Sequence, residues 1–328
     1  MRLLFPVLIL MTFVMCVVSL LTGPAGIAAP QALGGLLFGG DGPIPIVMRE
    51  IRLPRAVLGL AIGAGLGLTG AAMQGYLRNP LAEPGLIGVS ATAALGAVIA
   101  IQTGLAAQMA LALPFAALLG AGVGVSLLVL LAGPRGGSVS LILAGVAIST
   151  LAGAGTTLVL NLAPNPYAAN EIVFWLMGSL ADRSMQHVLL ALPPMAIGAA
   201  LIWSTARALD ALTLGEAAAS SLGLSPTSLR LRLIAGVALV VGPATAVAGA
   251  IGFVGLVVPH ILRPLVGARP SLLLPASALG GAVLVLTADI AVRLILPERD
   301  LKLGVLTAIV GAPLFLHLIW KTRSGGRG

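Results

Sequence analysis

Three observations predict an all-α polytopic membrane protein with about ten transmembrane helices. First, 59% of the 328 residues are hydrophobic and 9% charged, with a mean hydropathy of +1.11, outside the range of a water-soluble globular chain. Second, apolar runs occupy residues 3–21, 55–74, 85–103, 106–132, 139–160, 187–206, 229–249, 251–267, 272–292 and 303–320. Backbone amides and carbonyls cannot stay unpaired in lipid, so such runs are read as helices. Third, Gly and Pro punctuate their boundaries, as at Asn79-Pro80, Pro84-Gly85, Gly133-Pro134, Pro193-Pro194 and Pro270.

The first run is too long for the apolar core of a signal peptide, about 7–15 residues, so it is read as a retained span. Cys16 lies within it and, as the single cysteine, permits no intrachain disulfide; its expected role is packing. In the second run Gly59, Gly63 and Gly67 recur every four residues, a stripe that lets helix backbones approach closely in lipid. The least defined boundary is Gly249–Gly252: 229–249 and 251–267 are read as two spans, with one kinked helix plus a re-entrant piece as the alternative. Residues 1–328 are read as a single transmembrane domain.

The formal charge of +8 does not indicate nucleic acid, because the basic residues are scattered singly between apolar runs. They act as topology signals. With the N-terminus inside, Arg2, Arg78, Arg135, Arg207, Arg230, Arg232, Arg263, Arg269, Lys321, Arg323 and Arg327 fall in the cytoplasm. Outside fall Arg49, Arg52, Arg55, Arg183, Arg293, Arg299 and Lys302. The bias obeys the positive-inside rule and puts both termini in the cytoplasm. No G-x-x-x-x-G-K-[ST] occurs, so no P-loop nucleotide site is expected.

The one sizeable break between the apolar halves is Arg207–Pro226, RALDALTLGEAAASSLGLSP. Thr213 and Glu216 have capping-box spacing, so a helix is predicted to start there. Leu214, Ala217, Ala218, Ser221 and Leu222 share one face, Gly223 sits where a C′ glycine ends a helix, and Ser225-Pro226 restarts one as N-cap and N1. Such a helix is either an ordinary interfacial element or a surface gripped by another protein.

Arg52-Leu53-Pro54-Arg55 opens the second span on the outer side, against the charge rule. The pair either snorkels to headgroups or receives carboxylates, for which the guanidinium fork is suited. Asp289 precedes Arg293 by four residues, the order favourable for a helical ion pair. Asn79-Pro80 and Pro84-Gly85 predict two tight turns, with Asn79 structural. His260, following Pro259, lies far in sequence from His187 and His317, so a structural role is expected and no metal or cofactor site.

These blocks together resemble the FecCD family, the permease subunits of ABC importers for vitamin B12, iron-siderophores and haem. LTLGEAAASSLG is similar to its coupling-helix loop, RLPR to its outer arginines, and Gln74 with Arg78-Asn79-Pro80-Leu81-Ala82-Glu83-Pro84 to its first inner turn. Gly249–Arg263 and GVLTAIVGAPLF at 304–315 match two later blocks. Asp300-Leu301-Lys302-Leu303 and Ala268-Arg269-Pro270 depart from the family pattern, both in loops.

The resemblance implies the type II ABC-importer permease fold, with no catalysis in this chain. It implies a homodimer in the bacterial inner membrane, bound by two ATP-binding cassette subunits inside and a periplasmic substrate-binding protein outside. It assigns ATPase coupling to Leu212, Leu214, Gly215, Glu216, Ala218, Leu222 and Gly223, and binding-protein docking to Arg52, Arg55 and Arg293. The rival readings are weaker. A proton-coupled secondary transporter needs several buried acids and an internal repeat, and Asp289 is alone. An intramembrane serine protease would have to use Gly88-Val89-Ser90 with His260, whose glycine spacing is wrong.

Overall fold

The computed structural model describes residues 3–109, 111–133, 137–295 and 301–325, with no side chains described beyond 316. Arg2, Arg135, Arg299 and Arg327 of the charge pattern, the departure at Asp300, and Pro134 lie outside the described residues, as do the side chains of His317, Lys321 and Arg323. Each of the ten apolar runs contains a helix among the described residues. In chain order the helices are α1 (Leu4–Leu21), α2 (Ala29–Leu37), α3 (Pro43–Ile46), α4 (Leu53–Tyr76), α5 (Val89–Gln102), α6 (Leu105–Gln108), α7 (Ala112–Ala132) and α8 (Ser138–Asn161). There follow α9 (Pro166–Leu176), α10 (Met185–Trp203), α11 (Ala206–Leu212), α12 (Glu216–Ser221), α13 (Pro226–Ala248), α14 (Val254–Leu262), α15 (Pro270–Ile295) and α16 (Leu303–Gly325). Among the described residues seven helices are long and apolar enough to cross a bilayer; α5, the α14 region and α16 are shorter apolar helices. A turn of π-helix, Val47–Arg52, joins α3 to α4 without a break.

The core is built around α4, most of which is buried. A Cβ on Gly63 or Gly67 would collide with the backbone of Gly281 or Ser277 on α15, and one on Gly70 with the backbone of Gly255 on α14. Gly65 turns the opposite way, toward Val240 of α13 and Met195 of α10. The glycine stripe therefore does what its spacing predicted, on two faces at once. Gly198 and Gly236 repeat the device between α10 and α13, and Gly96 and Gly120 between α5 and α7.

Contacts between loops sort them to two ends of the bundle. At one end Arg78 faces Glu216 at 3.5 Å, Arg269 faces Asp210 at 3.2 Å, and Arg230 donates to the Gly133 carbonyl at 2.7 Å. At the other, Arg52 and Arg293 reach the end of α1, and Gln102 donates to the Leu162 carbonyl at 2.7 Å. This is the alternation that ten crossings require.

The uncertain stretch 229–267 resolves into two crossings. Helix α13 ends at Gly249 (φ 70°), whose α-carbon lies against Gly178 and Trp175. Residues 249–253 are not helical, and α14 starts only after Phe253, held at φ 66°. Helix α14 and the 3-10 turn Arg263–Val266 that continues it rise about 21 Å, and the irregular residues 249–253, with positive φ at Gly249 and Phe253, precede them in the eighth crossing. Lipid does not tolerate bare backbone, so this irregular part has to be covered by protein or face water.

The substitution Gly67→Val should displace α4 from α15, with a loss of about 1–3 kcal/mol from overpacking against a backbone that cannot move aside. Gly122→Val, where an added Cβ meets nothing within 4 Å, is the control. Melting temperatures of the two variants in detergent check this: only the first should fall.

Candidate functional site

The inner loop differs from its predicted form at its start and agrees at its end. The Thr213–Glu216 capping box does not form. Thr213 Oγ1 donates instead to the Asp210 carbonyl at 2.6 Å, closing the extra helix α11, and Gly215 is the N-cap of α12 at φ 102°. Two glycine-ended turns leave room for six helical residues only. At the far end Gly223 N–H donates to Ser220 O at 2.9 Å and Leu224 N–H to Ala219 O at 3.2 Å, the pair of bonds of a Schellman motif with Gly223 at φ 78°. Ser225 Oγ then accepts the Ser228 N–H at 3.3 Å and Pro226 opens α13, as expected.

Of the residues assigned to coupling, Leu214 (70% exposed), Leu222 (65%), Glu216 and Gly223 face outward, and Gly215 and Ala218 are half-buried. Leu212 is buried in α11 and supports the loop from beneath. The two exposed leucines flank this short helix, one before its N-cap and one at its C-cap. The loop is fixed to the bundle by Asp210, which accepts the Ser271 N–H at 2.8 Å and faces Arg269. Burial alone would raise the Asp210 carboxyl, but the hydrogen bonds from Ser271 and Arg269 outweigh it and hold the group below the usual carboxylate range.

Next to this loop the first inner turn grips α14. Gln74 Nε2 donates to the Leu256 carbonyl at 3.2 Å, Gln74 Oε1 accepts from Arg263 at 2.7 Å, and Glu83 Oε1 accepts the Phe253 N–H at 3.0 Å. Burial pushes the Glu83 carboxyl up, partly offset by that bond. Asn79 Oδ1 takes the Leu81 N–H at 2.9 Å, the structural turn its sequence predicted. Two motifs separated by about 170 residues are therefore one interlocked unit, a connection that spacing along the chain could not reveal. His260 lies on the last turn of α14; among the described residues no group of three or more potential metal ligands exists.

At the opposite end of the bundle Arg55 and Arg293 converge on one carboxylate, and Arg52 turns to the end of α1. Arg55 Nε and Nη2 reach Asp289 at 2.9 and 2.8 Å, and Arg293 Nη2 reaches its other oxygen at 2.8 Å. The i, i+4 pair expected of Asp289 and Arg293 is present, and Arg55 is added to it. Arg293 Nη1 also donates to the Ser19 and Thr22 carbonyls at 2.9 and 2.8 Å, and Arg52 Nη1 to Leu20 and Leu21 at 3.0 and 2.9 Å. These are the orphan carbonyls at the end of α1, where a cation is favoured. The side chains of Arg293 and Asp289 are 7% and 1% exposed, Arg55 17%, and Arg52 as a residue 4%. The arginines expected to stand free for a partner's carboxylates are in this structure folded inward. The physical reason is a resident acid and an unsatisfied helix end within reach.

A family model described as the FecCD transport family matches residues 10–321. The chain belongs to the FecCD transport family. Its FecCD relatives include the Fe(3+)-citrate import system permease protein YfmE of Bacillus subtilis, 37% identical over 95% of this chain and 93% of that one. The cobalamin import system permease protein BtuC of Halobacterium salinarum is 39% identical over 87% of this chain and 76% of its own. Among solved structures, a chain described as an inward-facing conformation of a metal-chelate type ABC transporter superposes with a TM-score of 0.87 at 33% identity, covering 98% of this chain and 99% of the other. This FecCD chain is a multi-pass membrane protein with the all-helical permease fold.

Asp289→Asn should leave Arg55 and Arg293 partly buried without a counter-charge, a loss of about 3–5 kcal/mol. Thermal unfolding of the detergent-solubilised variant reads this out. An unchanged midpoint would mean that solvent, not Asp289, neutralises the arginines.

Proposed function

We propose that this chain is the permease subunit of a binding-protein-dependent ABC importer, forming with a second copy the path for an iron chelate or cobalamin. The observation that carries the reading is the inner loop: a six-residue helix between two positive-φ glycines, with Leu214 and Leu222 exposed and its base tied to α15 through Asp210. An ATPase subunit seated on such a helix moves it as a rigid body, and the tie at Ser271 passes the displacement to α15 and through the glycine contacts to α4. The chain is a conduit on this reading, with ATP hydrolysed on the partner subunits, both termini in the cytoplasm and the membrane the bacterial inner membrane. Names carried by the relatives supply the substrate classes.

Docking of a binding protein at Arg52, Arg55 and Arg293 belongs to the same proposal, with a condition set by their geometry. A partner's carboxylates would have to compete with Asp289, and Arg55, the most exposed of the three, would be reached first. The proton-coupled alternative draws no support from Asp289, whose oxygens are both committed to arginines.

Co-expression with its ATPase subunit should yield a detergent-stable complex of two permeases and two ATPases by mass measurement. A stable assembly with one permease copy would sink the dimer. Gly223→Val should insert normally yet uncouple ATP hydrolysis from transport, because a β-branched residue at φ 78° costs roughly 1–2 kcal/mol and distorts the end of α12. Gly223→Asn, which tolerates that conformation, should retain coupling. Normal coupling in the valine variant would make the loop a linker only.

A further inference from the structure

Pro259 stands inside α14 and has no N–H, so the helix cannot make its own bond to the Gly255 carbonyl four residues earlier. An unpaired carbonyl within a membrane bundle is costly, and here a neighbouring helix supplies the donor. Gln74 Nε2, at the end of α4, lies 3.4 Å from the Gly255 carbonyl and 3.2 Å from that of Leu256. Arg263, at the C-cap of α14, donates to Gln74 Oε1 at 2.7 Å. A guanidinium only donates, so it fixes the amide oxygen toward itself and the amide N–H groups toward the two carbonyls.

The rest of the grip on α14 comes from the same side. The Phe253 N–H, at a φ of 66° that a non-glycine residue seldom holds, is accepted by Glu83 at 3.0 Å. A Cβ on Gly255 would stand 2.8 Å from Pro84 in the turn after α4 and 3.0 Å from the Leu66 carbonyl of α4, and one on Gly70 would strike the Gly255 backbone. Helix α13 precedes α14 in the chain but packs chiefly on α10 and α7. Where it meets α4 at Gly65, the contact is the Val240 side chain, not backbone. Residues 249–253 thus link two helices held by different neighbours, and their ends are pinned separately. At one end the Ser179 N–H donates to the Ala248 carbonyl at 2.8 Å; at the other Glu83 holds Phe253.

We propose that residues 249–253 are a hinge, that α14 travels with α4 and not with α13 during transport, and that Gln74 is the positioning residue that keeps it there, with Glu83 as a second hold. Only the link to transport rests on the permease reading above; the hold is a property of this chain alone. Pro259 is what makes it work. A residue with an N–H at 259 would tie Gly255 to its own helix, whereas proline leaves that carbonyl to be claimed by α4. The sequence blocks around Gln74 and Gly249–Arg263 thereby share one mechanical role.

The test follows backbone amide hydrogen exchange by mass spectrometry in the full-length protein in lipid nanodiscs. Gln74→Leu should speed exchange within α14 about tenfold and leave α13 and α10 at wild-type rates, because only the separately held unit opens. Adding Pro259→Ala, which returns the missing N–H to α14, should restore most of the protection. Glu83→Gln, whose amide oxygen still accepts the Phe253 N–H, should exchange as wild type, and Glu83→Ala should expose the first turn of α14. Unchanged exchange in Gln74→Leu and Glu83→Ala, equal loss in α13 and α14, or no recovery with Pro259→Ala would overturn the proposal. A second measurement reads the hinge in the complex with ATPase subunits, with Cys16→Ala removing the native thiol and spin labels on the exposed positions Leu231, Ile261 and Leu81 after substitution by cysteine. A non-hydrolysable ATP analogue should change the separation of 231 and 261, across the hinge, and leave that of 81 and 261 constant. Equal shifts in both pairs, or none across the hinge, would also overturn it. A chain with the expected exchange pattern that forms no such complex keeps the hold on α14 and loses the permease reading.

Discussion

Direct contact between helix backbones is the constraint on which the rest of the molecule depends. In water, a helix is driven against its neighbours by burial of apolar area; in lipid that drive is absent, and close packing has to supply the attraction. Helix α4 obtains it by carrying glycine on two faces, so that α15 and α14 approach on one side and α13 and α10 on the other. Because the contacts of Gly63, Gly67 and Gly70 with α15 and α14 are made to backbone, they admit little intermediate displacement. A shift of α15 must therefore be shared with α4.

Polar groups are then placed only where the bundle's ends need them. Asp289 organises the outer end by holding Arg55 and Arg293, and the arginines in turn satisfy the last carbonyls of α1. A carboxylate with two guanidinium partners is acceptable in a site this dry, whereas the same acid alone would be a heavy penalty. At the other end Asp210, Glu83 and Gln74 work through backbone N–H and C=O groups, fixing the 207–226 loop and the start of α14. Both ends use one acid or amide to secure several helix termini.

Much of this was legible in the residues. Ten apolar runs, the Gly59/63/67 stripe, the Asn79 turn, Gly223 at a helix end and the Asp289–Arg293 pair all follow from local rules, and each is present. Other features had local signals that went unread. Asn165-Pro166 is an N-cap followed by N1 and opens α9, where Asn165 Oδ1 accepts the Ala168 N–H at 3.0 Å. Thr213 misled because its hydroxyl had two possible acceptors or donors nearby, and closing α11 through Asp210 O was geometrically available first.

Composition and period alone determined that the chain is a many-helix membrane protein, where its crossings lie and which loop breaks the apolar pattern, because these depend on side chains a few residues apart. Only the tertiary structure decided that Arg52, Arg55 and Arg293 turn inward, since their acceptors come from residues 19–22 and 289, far away in the chain. It alone decided that the eighth crossing starts unwound, because the Glu83 carboxylate and the Gln74 amide that stabilise its helical start come from the turn after α4 and from the end of α4. Partners of that kind are chosen by three-dimensional proximity, and no spacing along the chain encodes it.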